Sequence, residues 1–497
     1  MPELQLRPYQ QETLQRLREG FAAGKRAQIL VSPTGSGKTE MAIELLRATK
    51  IKGNRAAMIL DRIVLCDQTS KRLEKYSIDH GVLQSGHWRY RPHEHIQVCS
   101  AQTLERRGDF PGLQLLIVDE AHQTRQQTVE FIKANPDVKV IGLTATPFTK
   151  GLGQIYDNVV SSISTKDLVN QGVLVPLRVF IAKEISMEGA KKVAGEWSQA
   201  EASERGIKIT GDIVQEWIKK THEIFGGPRK TIVFCAGVEH GAHLAKKFAE
   251  QGYNFVSISY RDDDEYKKEV IEDFSKPDTQ IHGLIATDIL TKGFDVPDVM
   301  IGVSARPFSK SLSSHIQQMG RVMRANMADP ESKQFALWLD HSGNYVRFRQ
   351  DWEDIFENGV NALDDGKEKP KPEPTEREKK EAKCPKCDAY FPPYMDVCGH
   401  CGHVREKRNT VSVLPGQMEE LATMSRENKQ KWWSMLQWFV RYGNKKPGWA
   451  YYTYKDKFGV EPRSLSDEPL TPDNEVMKFV EAKKRAYIRS IKRGALR

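Results

Sequence analysis

What this chain lacks narrows its class before any motif is read. No apolar run in its 497 residues approaches the roughly 20 needed to cross a bilayer as a helix. The opening residues, Met1-Pro2-Glu3-Leu4-Gln5-Leu6-Arg7, have no apolar core of the kind a secretory signal carries. A cytoplasmic location is therefore expected. Cysteine is sparse outside one cluster, with four of the seven at Cys384, Cys387, Cys398 and Cys401 and the other three scattered. That usage excludes a disulfide scaffold and reads as metal binding. There is no internal repeat beyond a coarse two-sheet duplication, and no nuclease-like carboxylate and lysine cluster follows residue 345.

What is present is an ordinary globular composition, 39% hydrophobic and 28% charged, in a chain too long for one core. Net charge is +9, but residues 431–497 hold 15 Lys/Arg against 7 Asp/Glu, so that segment alone supplies +8. A local basic excess favours a binding surface.

Short apolar runs bounded by turn residues alternate with amphipathic stretches from Leu6 to about Val179. Gln28–Val31, Ala56–Leu60, Leu115–Val118 and Val140–Leu143 read as buried parallel strands of a doubly wound sheet. After a polar interval around 186–227 the rhythm restarts, with Thr231–Phe234, Phe255–Ile258, Gly283–Ala286, Val299–Val303 and Phe335–Leu339 as strands. The expected organisation is a first α/β domain over 1–180, a second α/β domain over 181–362 and a charged, proline-rich linker over 363–382. A four-cysteine ribbon over 383–404, a linker over 405–430 and a small, mainly helical, basic domain over 431–497 complete it.

Ser32-Pro33-Thr34-Gly35-Ser36-Gly37-Lys38-Thr39 follows an apolar strand and precedes a credible helix. Its pattern cradles phosphates with backbone N–H groups from Thr34, Gly35, Ser36 and Gly37, sets Lys38 against the β- and γ-phosphates and offers the Thr39 hydroxyl to Mg²⁺. The first position is Ser32 where the pattern has glycine. Asp119 and Glu120 end the strand Leu115–Val118, at the carboxyl edge where open α/β sheets bind ligands. Asp119 is placed to hold Mg²⁺ through its water shell, and Glu120 to orient and deprotonate the attacking water. Arg321 and Arg324 stand one helical turn apart, suited to stabilising charge on a transferred phosphoryl group.

Together these motifs resemble the superfamily 2 helicases and translocases of the DEAH-box type, over roughly residues 4–345. The resemblance implies two tandem RecA-like domains, ATP and Mg²⁺ as cofactors, and nucleic acid as substrate, DNA in preference to RNA. Leu6-Arg7-Pro8-Tyr9-Gln10 looks like the adenine-reading motif, with Arg7 beside Gln10, which would contact the base. Thr144-Ala145-Thr146 looks like the motif that couples hydrolysis to domain movement. Ala286–Pro297 is similar to the motif touching both nucleic acid and nucleotide, which implies contacts from Gly293 and Asp295. Leu60–Leu65 departs from the family's usual strand-binding turn, and Ser100–Leu104 matches the next one loosely.

Cys384-x₂-Cys387-x₁₀-Cys398-x₂-Cys401 offers four thiolates in two knuckles, the arrangement of tetrahedral structural Zn²⁺. Such a ribbon could bind DNA, bind a protein or brace the tail. In the tail, Trp432, Leu436 and Phe439 or Trp433 and Trp438, near helical spacing, read mostly as the core of a small domain. Its exposed cations read as nucleic-acid contacts. A motor followed by a cysteine-rich module, with stretches such as Leu339-Asp340-His341-Ser342-Gly343-Asn344, also resembles the RadD-type DNA-repair helicases of bacteria and phages. The expectation is a monomeric ATP-dependent DNA helicase or branch-migrating translocase, acting with single-strand-binding or recombination proteins. Two alternatives are the motor subunit of a restriction or defence complex and an ATP-gated nucleic-acid-binding scaffold.

Overall fold

The structure is a computed structural model, and it describes residues 4–107, 112–181, 192–193, 196–198, 202–204, 210–287, 296–363, 419–420, 426–443, 445–458, 460–463, 465–473, 475–477, 479–481 and 483. It divides into two compact units: Met1–Asn344 with Ile355–Glu419, and Tyr345–Asp354 with Glu420–Arg497.

The first unit holds two parallel-sheet lobes. In the first lobe the order along the chain is α1 (Pro8–Ala22), β1 (Ala27–Val31), α2 (Lys38–Ile51), β2 (Ala56–Leu60), α3 (Ile63–Lys75), β3 (Gly81–Leu83), β4 (Ile96–Ser100), α4 (Ala101–Arg107), β5 (Leu115–Val118), α5 (Gln126–Ala134), β6 (Lys139–Thr144), β7 (Asn158–Ser161) and α6 (Thr165–Asn170). The sheet runs β3-β4-β2-β5-β6-β1-β7, with every pair parallel. Strands β1, β2, β4 and β5 are buried throughout, as strands covered by helices on both faces must be. Leu30, Met58 and Ile117 pack on one face, and Ile29, Ile59 and Leu116 on the other.

The second lobe begins earlier than the expected boundary at 180/181. The strand β8 (Leu177–Ile181) pairs with β15 (Ala336–Asp340) of the second sheet, because its Val179 and Phe180 are buried, Phe180 in the second lobe's core. A two-residue hairpin, β9 (Lys192–Val193) and β10 (Glu196–Trp197), precedes the main strands β11 (Thr231–Cys235), β12 (Phe255–Ile258), β13 (Gly283–Ala286), β14 (Ile301–Ala305) and β15 (Ala336–Asp340). The six principal strands are ordered β12-β13-β11-β14-β15-β8, again parallel. Trp217 anchors the core: its ring meets Phe248, Tyr253 and Phe255 edge-on, and its indole N–H donates to Thr231 Oγ1 at 2.9 Å.

The second unit draws its core from two helices, Arg426–Arg441 and Pro447–Phe458. Trp432, Trp433, Leu436, Tyr454 and Phe458 are buried in it together, while Trp438 and Phe439 are half-buried. Tyr442 and Tyr452 stay exposed. Residues 345–354, expected in the second α/β domain, join this unit: Glu353 pairs with Lys429 and with Arg349. Among the described residues no helix is long and apolar enough to cross a membrane.

Candidate nucleotide cleft between the two lobes

The site is built where strands of the first sheet end. β1 runs into Ser32, whose N–H donates to Thr144 O at 2.9 Å. The chain then turns through Gly35 (φ 89°) and Gly37 (φ 83°), a left-handed backbone that side chains resist. A Cβ on Gly37 would stand 2.4 Å from Gln10 Nε2, so the loop also needs glycine there for space. α2 starts at Lys38, and the first N–H groups of a helix have no partner within it, as an anion cradle requires.

Ser32 is accommodated by its hydroxyl. It is fully buried and bonds Ser36 Oγ at 2.6 Å and Ser162 Oγ at 2.5 Å, tying the loop to the segment after β7. Its backbone is not among the positive-φ residues, so glycine is not demanded there.

Gln10 is buried and fastened to the same loop. Its amide donates to Ser36 O at 2.9 Å, while its Oε1 accepts from Arg7 N at 2.8 Å. Tyr9 Oη adds a 2.6 Å bond to Ser36 O. The segment Arg7–Gln10 and the loop Ser32–Thr39 are thus one hydrogen-bonded piece.

Lys38 Nζ donates to Ser32 O at 2.9 Å and Pro33 O at 3.2 Å. Desolvation lowers its pKa, opposed by Glu120 and Asp119 and assisted by Arg321 and Arg324. Five groups from three distant motifs therefore feel one another.

Asp119 closes β5, its N–H held by Ile59 O at 3.0 Å. Glu120 follows with φ 47° and ψ 50°, a left-handed conformation that costs a non-glycine residue about 1–3 kcal/mol. Its buried Oε2 has no hydrogen bond among the described residues and stands 3.3 Å from His122 Nδ1. That nitrogen bonds Thr144 Oγ1 at 2.9 Å, and Thr144 Oγ1 accepts from Thr146 N at 3.0 Å. The Asp119–His122 and Thr144–Thr146 motifs are joined through His122.

The opposite wall comes from the second lobe. The helix Leu312–Val322 carries Arg321, which is buried, and Arg324 follows its end. A Cβ on Gly320 would stand 2.6 Å from Thr34 Cβ, so this helix reaches the phosphate loop only because residue 320 has no side chain. The crossover segment adds an antiparallel bridge between Leu174 and Arg324 and a 2.7 Å bond from Val175 N to Met323 O.

Between the walls lies a cleft of about 850 Å³ lined by Arg7, Gln10, Thr34, Gly35, Gly37, Lys38, Thr39, Asp119 and Glu120 on one side and Gln317, Arg321 and Arg324 on the other. Gly293, Asp295, Cys384, Cys387, Cys398 and Cys401 lie outside the described residues. Sequence reasoning missed Gln68, Lys71 and Arg72, which α3 turns toward the cleft mouth. Their spacing of three and four along a helix was the available signal. Arg72 pairs with Glu40 at 2.5 Å.

A glycine-turned loop, a buried lysine, paired carboxylates at a strand end and arginines from a second lobe define a two-lobe phosphate-loop motor. The family description "Type III restriction enzyme, res subunit" matches residues 3–149, and "Helicase conserved C-terminal domain" matches 216–326. The chain belongs to the superfamily 2 helicases, whose domains use ATP and Mg²⁺. It is 27% identical to a 51.5 kDa protein of a Lactococcus phage (isolate 7-9) over 386 residues, 76% of this chain and 77% of that one. It is 24% identical over 368 residues to the DNA 3'-5' translocase XPB2 of Sulfurisphaera tokodaii, 65% of this chain and 79% of the relative. Its fold resembles a fragment of an HsdR subunit of a type I restriction enzyme from Vibrio vulnificus YJ016, with a TM-score of 0.55 at 20% identity, covering 72% of this chain and 69% of that one.

Proposed function

We propose that the protein is an ATP-dependent DNA helicase or branch-migrating translocase acting in DNA repair, recombination or replication. The observation that carries this reading is the single cleft in which Lys38, Thr39, Asp119 and Glu120 face Arg321 and Arg324. The loop geometry fits a nucleotide: its glycines leave no room for side chains, and its lysine is already desolvated. Thr39 and Asp119 would hold Mg²⁺, which offsets phosphate charge when bound. Glu120 orients the attacking water and takes its proton, and Arg321 and Arg324 meet the charge that develops on the γ-phosphate. His122 relays the state of Glu120 to Thr144 and Thr146. DNA as substrate draws support from the translocase relative, and a repair role from the RadD-like order of motor, cysteine module and basic tail.

The expected result is ATP hydrolysis stimulated by DNA across a panel of single-stranded, duplex, forked and four-way substrates with matched RNA. Hydrolysis indifferent to every nucleic acid would sink the reading. The match to a restriction-enzyme res family over residues 3–149 supports a second reading, a restriction-complex motor. Under that reading plain duplex would stimulate as strongly as forks or single strands. The four cysteines are proposed to hold structural Zn²⁺ on the strength of their spacing, with about one equivalent of zinc per chain expected by elemental analysis.

A further inference from the structure

The segment Ser85-Gly86-His87-Trp88-Arg89-Tyr90-Arg91-Pro92-His93-Glu94-His95 takes no part in the nucleotide cleft, yet it carries the most exposed large apolar side chain among the described residues. Trp88 is 74% exposed and Tyr90 49%. A lone exposed aromatic on a surface needs no explanation, but this pair is held in place from several directions.

The segment leaves β3 at its carboxyl end and doubles back beside that strand, with Val82 N donating to Arg89 O at 2.9 Å. His87 Nε2 bonds Asp67 Oδ1 of α3 at 3.1 Å, and His87 Nδ1 accepts from Arg89 N at 3.1 Å. Ser85 N donates to Thr103 Oγ1 of α4 at 3.3 Å. Further along, Gln97 Nε2 clamps Arg91 O at 2.9 Å and Glu94 O at 2.8 Å, and Arg55 reaches Pro92 O at 3.0 Å. The backbone is fixed while the rings face water.

Cations accompany those rings. The guanidinium of Arg89 lies 4.6 Å from the Trp88 ring centre, and that of Arg107 lies 5.1 Å from the Tyr90 ring centre. Arg91, Arg106 and Arg107 are exposed nearby in the chain or on α4. The turn at Trp88 sits at the sheet edge from which α3 and α4 start. It is also the edge that bears Lys38 and Asp119, where open α/β sheets bind ligands.

Flat apolar faces flanked by guanidinium groups match a ligand that is anionic and carries flat rings. We infer that Trp88 and Tyr90 form a stacking platform for unpaired bases of a single DNA strand, with Arg91, Arg106 and Arg107 meeting its phosphates. Because the loop is already ordered, binding costs little conformational entropy. The inference rests on the proposed nucleic-acid motor and adds to it a contact point in the first lobe.

The test uses the full chain, a labelled oligo(dT) strand, a matched RNA strand and a blunt duplex at one salt concentration. Trp88→Ala is expected to weaken single-strand binding about 5- to 100-fold, the range for one stacked base. Both strand types should suffer, since stacking reads the base rather than the sugar. Trp88→Phe should keep affinity within about threefold of the original, and duplex binding and DNA-free ATP hydrolysis should stay unchanged. Unaltered strand affinity in Trp88→Ala overturns the platform while leaving the motor reading intact. Equal loss on duplex overturns it as well, and so does a change in oligomeric state without a change in strand affinity, which would assign the patch to a protein contact. If the unsubstituted protein binds no nucleic acid at all, the motor reading fails first and takes the platform with it.

Discussion

The two walls of the nucleotide cleft rest on the same parallel-sheet plan but hold charge differently. In the first lobe the cation is balanced where it stands: Lys38 donates to two loop carbonyls and faces Asp119 and Glu120. In the second lobe basic side chains crowd together. Arg321 and Arg324 face the cleft, and behind them Lys333 is buried with its Nζ donating to Pro297 O at 2.8 Å and Val322 O at 2.9 Å. Asp298, the carboxylate that Lys333 feels, already pairs with Lys230 at 2.7 Å. A loop fastened to its own lysine can hold a ligand in a steady pose, whereas guanidinium groups brought in from a second lobe are placed to respond to an arriving or departing phosphate. Under the proposed function the first lobe binds nucleotide and the second senses its γ-phosphate.

Four substitutions sharpen or break that contrast. Arg321→Ala should lower turnover of ATP by about 10³- to 10⁵-fold, the range for an arginine supplied across a phosphoryl-transfer site. Nucleotide affinity, measured with a fluorescent analogue, should fall far less, and a large loss of affinity would contradict the division of roles. Glu120→Gln should cost about 10²- to 10⁴-fold in turnover while DNA and nucleotide still bind; retained hydrolysis would remove Glu120 as the base. Gly320→Ala separates steric contact from helix stability. Alanine ordinarily favours a helix by roughly 0.5–1 kcal/mol over glycine, which offsets part of a steric cost of about 1–3 kcal/mol, so the melting temperature should fall by only a few degrees. Turnover should drop about tenfold as the added methyl pushes Thr34 away.

The smallest effect concerns Lys333, whose pKa burial lowers to about 7 against the mild opposition of Asp298. Between about 7 and the ordinary lysine value the unfolded chain binds the extra proton and the folded chain does not, so this group's contribution to stability rises with pH across that window. Lys333→Met should flatten the rise in melting temperature between pH 7 and 9.5 by a few degrees relative to the unsubstituted protein. Parallel curves would show that the ammonium keeps its charge when folded.

Much of this was legible beforehand where one physical demand dominates. Strands such as Leu115–Val118 are buried on both faces, so they read as unbroken apolar runs, and the phosphate loop has a spacing that few other structures require. Strands at and next to the sheet edge were harder. Gly81–Leu83 is only three residues long, and Ile96–Ser100 buries Gln97 with its amide satisfied by loop carbonyls, so neither shows a run. Ser32 looked like a defect in sequence because its compensation, Ser162, lies 130 residues away. The approach of Gly320 to Thr34 was equally invisible, since it depends on how two lobes meet. Membership of residues 345–354 in the second unit goes with tertiary contacts such as the pairing of Glu353 with Lys429, which helical periodicity does not encode.

Glu120 sits in a backbone conformation that glycine would occupy without penalty. Screening this chain for thermal robustness alone would therefore favour replacing the residue to which the proposed function assigns activation of the attacking water. The most stable variant at that position is expected to be an idle motor, which makes residue 120 a place where endurance and work are in direct competition.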